Sequence, residues 1–207
     1  MKINILSPDV FEIEDFITAE EQQKVLSYAR SLQEGDWWSD DERVPPFFNG
    51  KINVGEKPEV FLQIDEKIKN LFSSFYLINP ISLHRHLKTN FMMPHKDYDP
   101  DNKSEDYDPE KKSEGFVLRP IYGVVLYYNS DYEGGAINYP DLGIVHKPKP
   151  SSLVLHGGNI LHGTTRVTDD SVRYFSTTFI MATKEVPVRL NKDLFGENQQ
   201  SQEYIFF

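Results

Sequence analysis

Six histidines, His84, His86, His95, His146, His156 and His162, fall within one stretch of the chain, and the run His95-Lys96-Asp97 is the informative one among them. It sets an imidazole and a carboxylate two residues apart, on the same side of an extended strand. With six His and sixteen Asp in 207 residues, a lone His-x-Asp arises readily by chance. Weight comes from downstream, where His162-Gly163 is followed eleven positions later by Arg173-Tyr174, each in its own predicted strand. Two neutral imidazoles and one carboxylate on one face of a divalent metal leave three positions open, so that a cosubstrate and dioxygen can meet on one ion. A guanidinium deeper in the same cavity would take a distal carboxylate in a bidentate pair that never loses its charge.

Such ligands converge only if short strands carry them to one place. From Asn79-Pro80 onward the chain reads as short β-rich runs punctuated by Gly, Pro, Asn and Asp. Eight strands are expected: Ile81 to Lys88, Phe91 to His95, Phe116 to Asn129, Gly135 to Tyr139, Ile144 to Pro148, Ser152 to His156, Ile160 to Val167 and Val172 to Thr183. Eight short strands suit a jelly roll. Ahead of them, Thr18-Ala19-Glu20-Glu21 has the form of a capping box and Val25, Leu26, Ala29 and Leu32 follow it, which predicts a helix over about 19–32. Phe61, Leu62, Ile64, Ile68, Leu71 and Phe72 recur at three- and four-residue spacing and predict a second helix over about 60–75. Gly35 to Gly55, with Trp37-Trp38, Pro45-Pro46 and Phe47-Phe48, reads as an aromatic-rich loop with short strands. The stretch over about 98–114 is crowded with Asp, Glu and Lys and is expected to be a mobile acidic loop. The organisation expected is a single domain over 1–207, mainly β (α+β), with a helical N-terminal part over about 13–75 and a β core over about 79–183.

Composition narrows the chemistry further. The chain carries 22 Lys+Arg against 32 Asp+Glu, a net charge of −10, which disfavours a broad nucleic-acid surface. It has no cysteine, which removes thiolate zinc sites, iron–sulfur clusters and cysteine nucleophiles, so a metal must be held by His, Asp or Glu. No apolar run reaches the roughly 18 residues needed to cross a bilayer. The first eleven residues have no apolar signal stretch either, and a cytoplasmic protein is the expectation.

A site of two histidines and one carboxylate with open positions is the one non-haem Fe(II) oxygenases use. At these residues the sequence resembles the 2-oxoglutarate- and Fe(II)-dependent dioxygenases, and within them the prolyl-4-hydroxylase-like group. The resemblance runs from about Leu83 to Ile180 and rests on Met93-Pro94-His95-Lys96-Asp97, Leu126 to Asn129, Asp131-Tyr132-Glu133-Gly134-Gly135, Pro150 to Leu155, His162 to Val167 and Arg173-Tyr174. It implies a double-stranded β-helix buttressed by the two N-terminal helices. It implies that His95, Asp97 and His162 bind Fe(II), that Arg173 pairs with the distal carboxylate of 2-oxoglutarate, and that Tyr127 hydrogen-bonds the same carboxylate. His86 stands where many members have a tyrosine and is a candidate second contact. The reaction implied is O2-dependent conversion of 2-oxoglutarate to succinate and carbon dioxide, coupled to hydroxylation of a substrate C–H bond.

Several readings compete at single residues. His156 rivals His162 as third ligand, because Arg166 follows it by ten residues; Gly163 and Arg173-Tyr174 favour His162 within the family pattern. His84 and His146 are expected to be structural or solvent-facing. Arg173 could instead bridge Asp169 or Asp170 on the surface. Arg119, Trp37 and Trp38 are candidate substrate contacts, although paired aromatics more often serve packing. A protein or peptide residue such as proline is the leading substrate, and a free amino acid or small metabolite, needing a closed pocket, is the alternative. Nucleic-acid demethylation is disfavoured, since the DNA-repair members carry a second arginine where Phe179 stands. From other classes, a zinc hydrolase or a non-catalytic jelly-roll binding module would leave Arg173 and Tyr127 without purpose.

Overall fold

A computed structural model of the chain describes residues 2–38, 50–53, 55–75, 77–98, 119–182 and 188–191. Phe47-Phe48 and nearly all of the acidic loop expected over 98–114 lie outside the described residues. The described part is mostly β. Its strands are β1 (Lys2–Ser7), β2 (Val10–Glu14), β3 (Trp37–Trp38), β4 (Lys51–Asn53), β5 (Phe72–Ser74), β6 (Leu77–Ile78), β7 (Ser82–His86), β8 (Met92–His95), β9 (Arg119–Tyr127), β10 (Ile137–Tyr139), β11 (Ile144–His146), β12 (Leu153–Gly157), β13 (His162–Thr164), β14 (Arg173–Ala182) and β15 (Arg189–Leu190). The helices are α1 (Ala19–Ser31) and α2 (Glu59–Lys69).

Among the described residues a nine-stranded sheet runs β1-β2-β12-β9-β14-β7-β4-β3, with β6 paired to β14, and a four-stranded sheet runs β11-β10-β13-β8. Val125, Tyr127, Val154 and Phe175 of the larger sheet share one apolar cluster with Ile137 and Tyr139 of the smaller one. The two sheets therefore pack face to face, in a jelly-roll-like arrangement, with the interior between them. The other face of the larger sheet, through Tyr122, Val124, Leu126, Leu153 and Leu155, forms a second cluster with the buried residues of both helices. Alternation along each strand sends one set of side chains to the helices and the other to the interior.

Each helix starts and docks for identifiable reasons. The Thr18 hydroxyl accepts from Glu21 N at 3.2 Å while the Glu21 carboxylate accepts from Thr18 N at 2.8 Å, completing the capping box. The same carboxylate takes Lys67 Nζ from α2 at 2.6 Å, tying the helices together. On α2 the buried face is Val60, Phe61, Ile64, Asp65 and Ile68. Each large apolar group there contributes about 1.5–3 kcal/mol by leaving water. Asp65 accepts from Ile81 N at 3.0 Å and so fastens the helix to the start of β7.

Two expectations are corrected. The second helix ends at Lys69, not near 75, because Phe72–Ser74 leaves it to pair with β15. The N-terminal part is not purely helical: the β1–β2 hairpin adds to the larger sheet, with Phe11 opposite Leu155 and Ile13 opposite Leu153.

Candidate functional site

His162 and His95 are register partners across the β13–β8 pair, so their side chains project together and their ring centroids lie 4.3 Å apart. Asp97, two residues beyond His95, brings Oδ1 to 3.5 Å from His95 Nε2 and 3.7 Å from His162 Nε2. The ligand atoms of these three residues all lie within 4.8 Å of one another, a set able to hold a metal ion. His95 Nδ1 lies 2.9 Å from Met93 O, and His162 Nδ1 lies 2.9 Å from Ile160 O. A carbonyl can only accept, so each Nδ1 carries the ring proton and donates it, leaving both Nε2 lone pairs facing the site.

The electrostatics point the same way. Burial pushes His162 down to about 3, holding it neutral. Burial alone would raise Asp97, but His156, His95 and His162 around it overcome that effect and hold the carboxyl well below the usual carboxylate range. His156, the rival third ligand on sequence, packs against His162 with centroids 3.9 Å apart and sets Nε2 3.4 Å from Asp97 Oδ2.

A cavity of about 80 Å³ is lined by these residues together with Tyr127 and Arg173. Arg173 is wholly buried and, among the described residues, reaches no acidic partner; Lys88, not Arg173, pairs with Asp170. Its guanidinium lies 4.0 Å over the Phe175 ring, and Nη1 donates to His86 Nδ1 at 3.1 Å. Burial and the Arg173 charge hold the His86 ring far below its ordinary value, hence neutral and able to accept. His86 thus holds the guanidinium in place and is not part of the cavity wall. Among the described residues, Arg173 Nε and Nη2 and the buried hydroxyls of Tyr127 and Tyr132 have no hydrogen-bond partner. Burial pushes Tyr127 up to about 12, against the opposing Arg173 charge, so its hydroxyl keeps the proton and remains a donor.

The Gly134-Gly135 pair makes this enclosure close. Gly134 has φ +70° and Gly135 φ +62°, values any side chain would strain. Gly135 N donates to Arg166 O at 3.0 Å. A Cβ on Gly135 would press on Arg173 Cδ and the Tyr132 ring.

The remaining candidates lie elsewhere. Arg119 stacks over Tyr98 at 5.1 Å, Trp37 is buried beneath Arg85 at 4.6 Å, and Trp38 is half exposed; none of the three lines the cavity. His146 pairs with the buried Glu12 at 3.2 Å, whereas His84 does line the cavity, packed on Phe175 with Nε2 2.8 Å from Thr177 Oγ1. Tyr132 and Tyr139 were not singled out on sequence. Tyr132 sits in the quoted run beside the glycine pair, but nothing in its own spacing marks it.

No protein-family model and no curated protein matches the chain. Solved structures do match it. A viral collagen prolyl hydroxylase from Paramecium bursaria Chlorella virus-1, determined with 2-oxoglutarate, superposes with TM-score 0.60 at 15% identity, over 85% of this chain and 97% of that one. A Pseudomonas putida prolyl-4-hydroxylase matches with TM-score 0.58 at 16% identity, over 83% and 91%. A Trichoplax adhaerens prolyl hydroxylase, bound to a peptide fragment of the hypoxia-inducible-factor oxygen degradation domain, matches with TM-score 0.57 at 14% identity, over 84% of each chain. The fold of this chain is therefore the one these solved prolyl hydroxylase structures share.

Proposed function

We propose that the protein is an Fe(II)- and 2-oxoglutarate-dependent dioxygenase that hydroxylates a C–H bond on a protein or peptide residue such as proline. The observation that carries this is one cavity shared by the His95–Asp97–His162 set, of which His162 is buried and the other two half-buried, and a wholly buried Arg173 with donors unpaired among the described residues. Either feature alone has other uses. Together they fit a metal with open positions, which His95, Asp97 and His162 would hold, and a dicarboxylate whose charge Arg173 would pair. A zinc hydrolase would need the first feature and not the second.

Fe(II) held by His95, Asp97 and His162 would supply dioxygen activation coupled to oxidation of 2-oxoglutarate to succinate and carbon dioxide. The chain's own residues prepare the site. His95 and His162 present Nε2 because Met93 O and Ile160 O hold their Nδ1 protons. Asp97 enters already ionised. Arg173 offers Nε and Nη2 to the distal carboxylate, Tyr127 adds its hydroxyl, and His86 keeps the guanidinium from turning away. That the similar Trichoplax prolyl hydroxylase was solved with a peptide supports a peptide as the prime substrate.

The test is anaerobic visible absorption of the apoprotein on adding Fe(II) and then 2-oxoglutarate, for wild type, His162→Ala and Arg173→Ala. A metal-to-ligand charge-transfer band in wild type, lost in His162→Ala and weakened in Arg173→Ala, is expected. Bound metal without that band, together with no 2-oxoglutarate-dependent oxygen uptake, would reject the oxygenase reading.

A further inference from the structure

His156 is 1% exposed and lies in the metal-side wall, yet the proposed chemistry gives it no task. Its Nε2 lies 3.4 Å from Asp97 Oδ2, an ion-pair approach short of hydrogen-bond geometry, and among the described residues neither atom has a hydrogen-bond partner. On the far side of the ring, Nδ1 lies 3.4 Å from the Tyr139 hydroxyl, and the two rings meet nearly edge-on. Burial pushes Tyr139 well above its ordinary value, so that hydroxyl keeps its proton and can donate it to Nδ1. The tautomer follows: Nδ1 accepts from Tyr139, and Nε2 carries the proton toward the carboxylate.

The backbone makes room for this approach. His156 on β12 is the register partner of Gly123 on β9. A Cβ at Gly123 would collide with both His156 Nε2 and Asp97 Oδ2. Any residue but glycine would drive imidazole and carboxylate apart or displace both. Gly123 is thus the gap through which the two groups meet, and this is independent of the distances alone.

We propose that His156, held by Tyr139, is a positioning residue that fixes Asp97 through Oδ2 and so dedicates Oδ1 to the metal. The inference rests on the reading of His95, Asp97 and His162 as metal ligands. A carboxylate on a short side chain can rotate to offer either oxygen, or both. Engaging Oδ2 makes it a one-oxygen ligand and keeps the second oxygen away from positions that cosubstrate and dioxygen need. His156 is not a fourth ligand, since it stands outside the group whose ligand atoms all lie within 4.8 Å of one another.

The experiment is Co(II) titration of the metal-free protein, followed by visible absorption, with melting of each metal-free variant as the folding control. The variants are His156→Leu, His156→Gln, Tyr139→Phe, Gly123→Ala and the ligand control His95→Ala. Outer hydrogen-bond partners of ligands typically set affinity by about 10- to 100-fold. His156→Leu and Gly123→Ala are expected to weaken Co(II) binding by about that factor and to alter the cobalt spectrum. His156→Gln, whose amide can still donate to Oδ2, recovers most of the affinity and the wild-type spectrum. Tyr139→Phe, the mildest change, weakens binding a fewfold.

Wild-type affinity and spectrum in a folded His156→Leu would overturn the inference while leaving the metal site standing. So would a His156→Gln protein as impaired as His156→Leu, or, should the leucine variant not fold, unchanged binding in Tyr139→Phe. Wild type that binds Co(II) no better than His95→Ala would remove the metal reading itself and this inference with it.

Discussion

A guanidinium with no exposure and, among the described residues, no carboxylate partner has donors a ligand can use, so Arg173 yields the most direct prediction at the residue scale. Lysine keeps its charge but loses the planar fork. Charge-assisted hydrogen bonds contribute about 1.5–3 kcal/mol each, so Arg173→Lys should weaken 2-oxoglutarate binding about 10- to 100-fold while leaving Co(II) affinity intact. Calorimetry on the metal-loaded protein measures both, and an unchanged 2-oxoglutarate affinity would remove Arg173 from the cosubstrate site. His84 gives a pH-dependent test. Burial lowers it from 6.5 to about 3, so above pH 6.5 folded and unfolded states are alike neutral. Below 6.5 the unfolded chain takes up a proton that the folded one refuses, and stability falls as the pH drops toward 3, by about 1.4 kcal/mol per pH unit. Urea unfolding at pH 6.5 and 5 should show wild type losing about 2 kcal/mol more than His84→Gln; equal losses would place the ring in contact with water. At this scale the sequence was legible where a residue belonged to a spaced pattern, as with His95, Asp97, His162 and Arg173. It was silent where partnership arises across the sheet, as with Tyr132 behind Arg173 or Tyr139 behind His156.

Elements position these groups through register, and register can be broken by one methyl group. A Cβ on Gly163 would come within 2.8 Å of Met92 O and 3.0 Å of Pro94 N, forcing β13 from β8. Since His162 and His95 face each other across that pair, Gly163→Ala should separate them and lower Co(II) affinity by about 10-fold or more. Unaltered affinity would show that β8 yields without moving His95. In contrast, Thr18→Ala removes one side of the α1 capping box, far from the ligands. It should cost about 1 kcal/mol in urea unfolding with no change in metal binding. The capping box and the eight runs from Ile81 onward could be read from local patterns, because caps and period-two alternation are local physics. The end of α2 could not: Leu71 and Phe72 continue the helical spacing, but their burial is satisfied by leaving the helix to pair with β15. The β1–β2 hairpin also escaped notice, since its partner β12 lies some 140 residues on and only tertiary pairing reveals it.

Across the whole molecule the site is a bridge. His95 and His162 belong to the smaller sheet, Arg173 and Tyr127 to the larger, and Asp97 lies against Gly123 of the larger sheet through His156. A metal and a dianion spanning them would tie the two layers together from inside, which neither component can do alone. Ligand at 100 times its dissociation constant stabilises by about 2.7 kcal/mol. In a chain of this size each kcal/mol raises Tm by about 2–4 °C. Co(II) and 2-oxoglutarate together should therefore raise Tm by about 5–10 °C, and 2-oxoglutarate without metal by far less. Glutarate, which keeps both carboxylates but lacks the keto oxygen, should fall between. This dependence belongs to the two-sheet arrangement and not to either group of residues: a dianion that stabilised equally with and without metal would be held by Arg173 alone, and the layers would not be linked through one cavity. The order and spacing of the histidines, Asp97 and Arg173 anticipated which residues share that cavity, whereas its enclosure depends on close approaches at Gly123, Gly135 and Gly163 that become visible only once the sheets are stacked.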